Sequence, residues 1–412
     1  MSSSVTTPQV HSTWNATIRT ILGASLVVVL VLLAFGWPTY TAKVKDMPLG
    51  VVATSEQQAQ LQQAFDAADD PFELTSYPST AEAEEAIKQR EVYGAVIMPT
   101  KAGEATQVLT ASAGSSAATQ MLAQMAQKMT AQQMTVAATA KQTAAQQLAT
   151  TAARAAAAQA SAQTLAQVQA SLPAAQQKAL ATQLATAQAQ AKTLAAEVVK
   201  QKAAVEAITT PSVQVADIVP LASSDSRGSG FAIAGLPLAM GGMIGGVMIS
   251  MLVVGWKRRA VAVLGYGILG GLGLALVLHT WFGFVTGSFA MIWAVCGAAI
   301  AATAAFITGA QALLGQPGIA LGAVVTMFVG NPISSLAMPK EWLPGAWGQI
   351  GQYFVPGAAG NLMRIESYFP DAPQLTSWLV LLGWLLVGMV LLVVGHHRDD
   401  EVIHIQGAVE AE

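Results

Sequence analysis

The sequence predicts a polytopic α-helical membrane protein. It has six transmembrane helices, an extracytoplasmic α/β module and a long α-helical hairpin or coiled coil. Three observations carry this. Five apolar runs cluster in the C-terminal half (Phe231–Trp256, Ala260–Leu278, Ser288–Gly309, Gly318–Leu336 and Ser377–Gly395), and a sixth, Thr17–Trp37, lies far upstream. An apolar run of about 20 residues spans a bilayer as a helix, because a helix satisfies its own backbone hydrogen bonds there. Between the first and second runs stand a strand-helix alternation and then a stretch dominated by Ala, Gln and Thr.

Composition sets the class. Of 412 residues, 53% are hydrophobic and only 10% charged, with a mean hydropathy of +0.49, which excludes an ordinary soluble globule. The net charge of −3 gives no basis for a nucleic-acid partner. The single cysteine, Cys296, lies inside an apolar run, so it reads as a small packing residue and permits no disulfide within the chain.

Residues 1–16 form an N-terminal segment and 17–40 the first transmembrane helix. That helix reads as an uncleaved anchor, since its apolar core from Ile21 to Phe35 exceeds a signal peptide's and no small-x-small cleavage site follows. Trp37 and Tyr40 suit the interface. Short loops rich in Lys and Arg stay cytoplasmic. Lys257, Arg258 and Arg259 are the strong basic cluster beside the runs, so both termini are expected in the cytoplasm of a cell-membrane protein and residues 41–230 outside. Arg398 agrees with that orientation, while Lys43 and Lys45 do not.

Residues 41–114 read as the α/β module. Its expected elements are a strand at Gly50–Ala53, a helix opened by a capping box at Ser55 and running to about Ala68, and a strand at Phe72–Tyr77. A second capped helix runs from Ser79 to near Arg90, and strands at Val92–Met98 and Gln107–Thr110 flank a turn at Gly103. Asp66, Asp69 and Asp70 read as a solvated loop, since metal ligands must converge.

Residues 115–209 hold no Phe, Tyr, Trp or Gly through Ile208, and strong helix formers dominate. In the second arm Leu180, Leu184, Ala187, Ala191, Leu194, Val198, Gln201, Val205 and Ile208 keep alternating four- and three-residue steps, the seam of a coiled coil. The first arm is less regular: Met121, Met125 and Met129, then mostly Ala until Leu165, Val168 and Leu172. With Pro173 at the tip, an antiparallel hairpin is expected. Scattered lysines solubilise the arms or meet an anionic envelope component. Residues 210–230 return as a strand at Pro211–Leu221 and a linker.

Residues 231–396 form the membrane block. Gly241/Gly245 and Gly267/Gly271 are small-xxx-small pairs that pack helices within one bundle or across a dimer. No Asp or Glu occurs between Ser226 and Lys340, so the carboxylate of an ion-coupled transporter is missing there. No Gly-Lys pair occurs either, which excludes a phosphate-binding P-loop. No HExxH, GxSxG or CxxC motif suggests an enzyme. Within the block, residues 331–370 are too Pro-broken to span and too apolar for a free loop, so short re-entrant helices are expected, with Trp342 and Trp347 at the interface. Arg364 and Glu366 either pair on the surface or face a cavity. Residues 397–412 form a tail.

The strand start Pro48–Ala53, the strand Tyr93–Pro99, the return into the membrane at Gly228–Leu238, and Leu343-Pro344 followed by Pro356 and Arg364 occur in an order that resembles the permeases of type-2 ABC exporters, in the phage-infection-protein-like branch. This chain differs from that pattern in having Thr54-Ser55 after the first strand and in its long Ala-rich hairpin. The resemblance implies a homodimeric or paired permease in contact with membrane lipids, exporting an amphipathic or lipid-like substrate. A separate cytoplasmic ATPase would use ATP on its behalf, no cofactor residing in this chain. Trp256, Lys257, Arg258 and Arg259 would meet that ATPase, or anionic lipid. Trp342, Pro344, Trp347, Pro356, Arg364 and Glu366 would border the path. The alternative is an envelope scaffold or surface receptor whose hairpin binds partners or a secretion machine.

Overall fold

A computed structural model describes residues 14–66, 72–101, 104–209 and 212–409. The predicted turn at Gly103, the start of the return strand at Pro211, Asp69 and Asp70, and most of the predicted N-terminal segment lie outside the described residues. Of Asp66 and Arg398 only the helical backbone is described. The chain divides into two compact units. One comprises residues through Val96, Leu109–Met121 and the chain from Asp217 onward; the other comprises Ile97–Val108 and Leu122–Ala216.

In the first unit, α1 spans Trp14–Thr41, longer at both ends than the apolar run suggested. Phe35 meets Phe328 edge-to-face at 6.1 Å. The module follows, with β1 (Met47–Val52), α2 (Ser55–Asp66), β2 (Phe72–Ser76), α3 (Thr80–Lys88) and β3 (Gly94–Ile97). β1 and β2 pair in parallel, Met47 opposite Phe72 and Val51 opposite Ser76, as a connecting helix requires. With β4 (Thr106–Thr110) and β5 (Val213–Asp217) the strand order is β2-β1-β3-β4-β5. Buried Met47, Leu49 and Val51 on β1 and Ala95 and Val96 on β3 make the centre of the sheet apolar, while β2 and β5 are largely exposed.

The capping box of α2 sits one residue earlier than the sequence suggested. Gln57 N–H donates to Thr54 Oγ1 at 3.3 Å and Thr54 N–H to Gln57 Oε1 at 3.0 Å. Ser55 is thus the first helical residue and Thr54 the cap. At α3 the expected box forms, with Glu82 N–H donating to Ser79 Oγ at 3.3 Å.

The second unit contains most of α4 (Ser116–Ser171) and all of α5 (Ala174–Glu206), joined at Leu172-Pro173. Gln177 Nε2 donates to Leu172 O at 2.8 Å and closes the tip. Each α5 seam position from Leu180 to Val205 is sheltered, and Ile208 just beyond the helix is too. In α4 the sheltered positions Ala144, Leu148, Thr151, Ala155, Ala158, Ala162, Leu165, Gln169 and, just past its end, Leu172 keep the same four-three rhythm. Val168, taken for part of the apolar stripe, is 45% exposed, because it falls between two steps of that rhythm.

Among the described residues, five helices are long and apolar enough to cross a membrane. They are α6 (Gly230–Leu252), α7 (Trp256–Ala275) continuing through a π turn at Leu276–Trp281, α8 (Phe289–Leu314), α9 (Gln316–Ala323) continuing through a π turn at Val324–Val329, and the first part of α12 (Leu375–Val409). Residues 331–370 fold as short pieces: 3-10 turns at Pro332–Ser334 and Lys340–Trp342, α10 (Trp347–Gly351) and α11 (Val355–Tyr368). Between α6 and α7, and between α8 and α9, the chain turns at Gly255 (φ +90°) and Gly315 (φ +70°), a backbone region that glycine enters without steric cost.

α8 is the hub, with Ile292, Val295, Cys296, Ala299, Ile300, Ala302 and Ile307 at or near zero exposure. Large apolar side chains such as Leu252, Val261, Leu269 and Leu386 point outward instead, each more than 60% exposed. Small residues inside and large ones outside suit helices that pack against each other in a solvent as apolar as themselves. Some buried hydroxyls are satisfied by carbonyls of their own helix, as Ser250 Oγ is by Gly246 O at 2.7 Å and Thr326 Oγ1 by Gly322 O at 2.8 Å.

The module joins the bundle where the chain leaves α1 and where it returns to α6, as well as through side chains between α3 and β3. Lys43 N–H donates to Trp342 O at 3.0 Å on the way out of α1. On the way back, Ala222 N–H donates to Tyr368 Oη at 3.2 Å and Ser224 Oγ to Gly283 O at 2.9 Å. Asp225, one residue outside the acid-free stretch, is buried and accepts from Ser229 N–H at 2.9 Å and Gly230 N–H at 2.8 Å. A carboxylate there satisfies otherwise orphaned amides and the positive end of the α6 dipole. Replacing Asp225 by alanine is expected to lower stability by about 2 kcal/mol, with asparagine recovering part of it. Thermal unfolding in detergent reads this out, and equal stability of wild type and alanine variant would refute the capping role.

Candidate site in a basic cavity

A cavity of about 560 Å³ opens where the end of α3 and the start of β3 face the short helices of residues 331–370. It lies wholly within the first unit. Its charged lining residues are Arg90, Lys340 and Arg364 against Glu91 and Glu341, three basic groups to two acidic.

Arg90 occupies the position just past α3 that usually carries Gly or Asn, at φ +63°. A left-handed conformation costs an L-residue on the order of 1–2 kcal/mol, so the fold tolerates strain where this side chain is delivered. Its Nη1 donates to Asn361 Oδ1, and the guanidinium lies 5.5 Å from the centre of the Phe369 ring. Asn361 in turn donates from Nδ2 to Ser377 Oγ at 2.9 Å, which fixes the amide's orientation.

Arg364 projects from α11. Its Nη2 donates to Leu336 O at 2.8 Å and its guanidinium stands 4.8 Å from the centre of the Phe231 ring, on the first turn of α6. The buried Nε–H has no hydrogen-bond partner among the described residues. Ser335, left-handed at φ +55°, also lines the cavity with its hydroxyl unpartnered. Across the space Tyr93 Oη donates to Glu341 Oε2 at 3.0 Å, and Lys340 Nζ lies 3.9 Å from Glu341 Oε1.

The electrostatics follow from burial. Desolvation, then the Glu341 charge, pushes the Tyr93 phenol well up, so it stays a neutral donor to Glu341. Desolvation lowers Arg364, and the neighbouring Arg90 charge lowers it further. Arg90 is lowered by desolvation and partly restored by Tyr93 and Glu341. Both guanidinium groups remain charged at neutral pH, and neither has a carboxylate within ion-pair distance among the described residues.

Sequence reasoning singled out Arg364 but joined it to Glu366. Among the described residues no ion pair links them, because residues two apart on a helix do not face each other. Glu366 is outside the cavity lining, as are Trp342, Pro344, Trp347 and Pro356. Trp342 is half-buried with an unpartnered Nε1–H; Trp347 is 49% exposed; Pro356 is buried in the first turn of α11. Arg90 and Glu341 were not singled out as site residues. An arginine directly after a capped helix, in the usual place of glycine, was the available signal.

The basic loop lies at the other end of α6, about 30 Å along the helix from Phe231. Lys257 and Arg258 are exposed, with Lys257 Nζ 5.6 Å from the centre of the Trp256 ring. Arg259 turns inward and donates to Val253 O at 2.7 Å, Ser250 O at 2.9 Å and Gln311 Oε1 at 2.9 Å. Of the named glycines, Gly245 faces Tyr266, Gly267 faces Ala301 and Gly271 faces Gly297; an added Cβ would stand 2.8 Å from Ala301 Cβ at Gly267 and closer still to its neighbour at the other two. Gly241 O accepts from Tyr266 Oη at 2.6 Å. No family model, curated protein or solved structure matches the chain.

Proposed function

We propose that this chain is the permease subunit of an ABC-type exporter, moving an amphipathic or lipid-like substrate with energy from a separate cytoplasmic ATPase. The observation that carries the reading is the cavity of about 560 Å³, whose wall mixes buried charge (Arg90, Arg364) with apolar surface (Leu336, Ile365, Phe369). A site for a molecule with one polar and one greasy end needs both. The acid-free membrane stretch and the missing P-loop favour a partner that supplies the energy. In this reading α1 is a sixth span, residues 41–230 lie outside, and exposed Lys257 and Arg258 meet the ATPase or anionic lipid. The resemblance to type-2 ABC exporter permeases supports the same assignment.

The sheltered four-three stripes of α4 and α5 support an antiparallel coiled coil with alanine-rich contacts. They also favour a second reading, an envelope scaffold or receptor in which the hairpin is the working part. Two measurements separate the readings. Affinity capture from membranes is expected to recover an ATPase, and substrate efflux from loaded cells to stop on ATP depletion. Efflux is expected to survive deletion of residues 115–208. Efflux that ignores ATP, with no ATPase captured, would sink the permease; loss of envelope assembly on deletion, with nothing ever moved, would establish the scaffold.

A further inference from the structure

We infer that the cavity binds a phosphate-type oxyanion, held between the guanidinium groups of Arg90 and Arg364 and carried by the headgroup of an anionic lipid. This deepens the permease reading by naming the polar end of its substrate, and it rests on the cavity being the substrate site.

Two like charges line one largely desolvated space, neither with a carboxylate within ion-pair distance among the described residues, and the Arg90 charge disfavours that of Arg364. Such an arrangement costs stability unless an anion occupies it. The unused donors are the second observation. A guanidinium offers five N–H groups. Arg364 spends one on Leu336 O and leaves the buried Nε–H unpartnered; Arg90 spends one on Asn361 Oδ1. The ring contacts to Phe231 and Phe369 and the carbonyl and amide acceptors aim both groups without neutralising either.

A carboxylate presents one two-oxygen edge for a bidentate arginine; a phosphate has more than one such edge and can meet two forks, and guanidinium geometry matches it. Ser335 Oγ, also unpartnered on the wall, adds a donor. Glu341 already accepts from Tyr93 and lies 3.9 Å from Lys340, and its charge only partly restores Arg90 against desolvation. The volume exceeds that of a phosphate alone and leaves apolar wall for the adjoining part of a lipid.

The test is a binding titration on the purified full chain in neutral detergent, with no ATPase and no transport. The probes are short-chain phosphatidylglycerol, short-chain phosphatidylcholine and inorganic phosphate, read by the unfolding midpoint and by a competition isotherm. Phosphatidylglycerol is expected to bind at least about tenfold tighter than phosphatidylcholine, as a charge-assisted contact implies. Arg364→Gln and Arg90→Gln should each remove that preference and Arg364→Lys retain part of it. Glu341→Gln should tighten binding, an opposite sign that misfolding does not produce. Inorganic phosphate that competes with phosphatidylglycerol supports the shared oxyanion site; phosphate binding as tightly as the lipid assigns the site to the free ion. Equal affinity for the two lipids, or a preference untouched in both glutamine variants, overturns the inference. ATP-driven efflux without this headgroup preference would leave the permease standing and this inference alone refuted.

Discussion

Gly388→Leu is expected to prevent accumulation of folded protein. Gly388 lies where α12 crosses α8, and even a Cβ there would stand 2.5 Å from Phe306 N and 2.7 Å from Ala305 Cβ, with the Ala305 carbonyl carbon closer still. Backbone cannot rotate aside as a long side chain can. The partner surface is equally bare, since a Cβ on Gly309 would meet Gly388 O and Leu391 Cβ; two turns further along α12, a Cβ on Gly395 would stand 2.5 Å from Ala312 O. Overpacking a close crossing costs about 1–3 kcal/mol for modest insertions, so a leucine against backbone should exceed about 3 kcal/mol. Gly388→Ala should fall in between. Gly383, with nothing within 4 Å of its added Cβ, is the control and should accept leucine unchanged. Monodispersity in size-exclusion chromatography and the unfolding midpoint decide it. Wild-type behaviour of the Gly388 variant would mean that the two helices do not cross this closely.

Arg259→Ala is expected to cost about 3 kcal/mol, while Lys257→Ala and Arg258→Ala change stability by no more than about 0.5 kcal/mol. Arg259 gathers Ser250 O and Val253 O, two carbonyls at the end of α6 that have no next turn to bond them, and ties them to Gln311 on α8. Removing it strands polar groups at a helix end. Lysine, with a single ammonium, recovers only part of the fork. The same variants test the loop's proposed role: charge reversal at Lys257 and Arg258 should weaken ATPase capture at unchanged stability. Equal destabilisation by all three alanine variants would remove the distinction between a structural arginine and two exposed basic residues.

The parts of the fold written in contrast were legible in the sequence. Apolar runs against polar loops marked the five long helices, and Leu and Val among alanines marked the α5 seam. The α4 stripe follows the same rhythm but between Leu148 and Leu165 is built of Ala and Thr, which recur at its exposed neighbours, so periodicity had little to register there. The close crossing of α8 and α12 escaped for a related reason. Its glycines, Gly388 and Gly395, are seven apart, two helical turns rather than one, and their partner Gly309 lies on another helix. The cavity was least legible. Arg90, Glu341 and Arg364 are hundreds of residues apart or separated by Pro-rich turns, and only the packing of the module against residues 331–370 gathers them.

The module's attachment on both sides of that gathering has a mechanical consequence. It is pinned through Lys43 to Trp342 and again through Ala222 and Asp225 to Tyr368 and the start of α6. Two further bonds, Arg90 to Asn361 and Tyr93 to Glu341, cross the cavity itself, so the module does not hang on a single tether. Exchange of a bound molecule is therefore expected to need those two bonds to open, and a cross-link between the end of α3 and α11 should slow it.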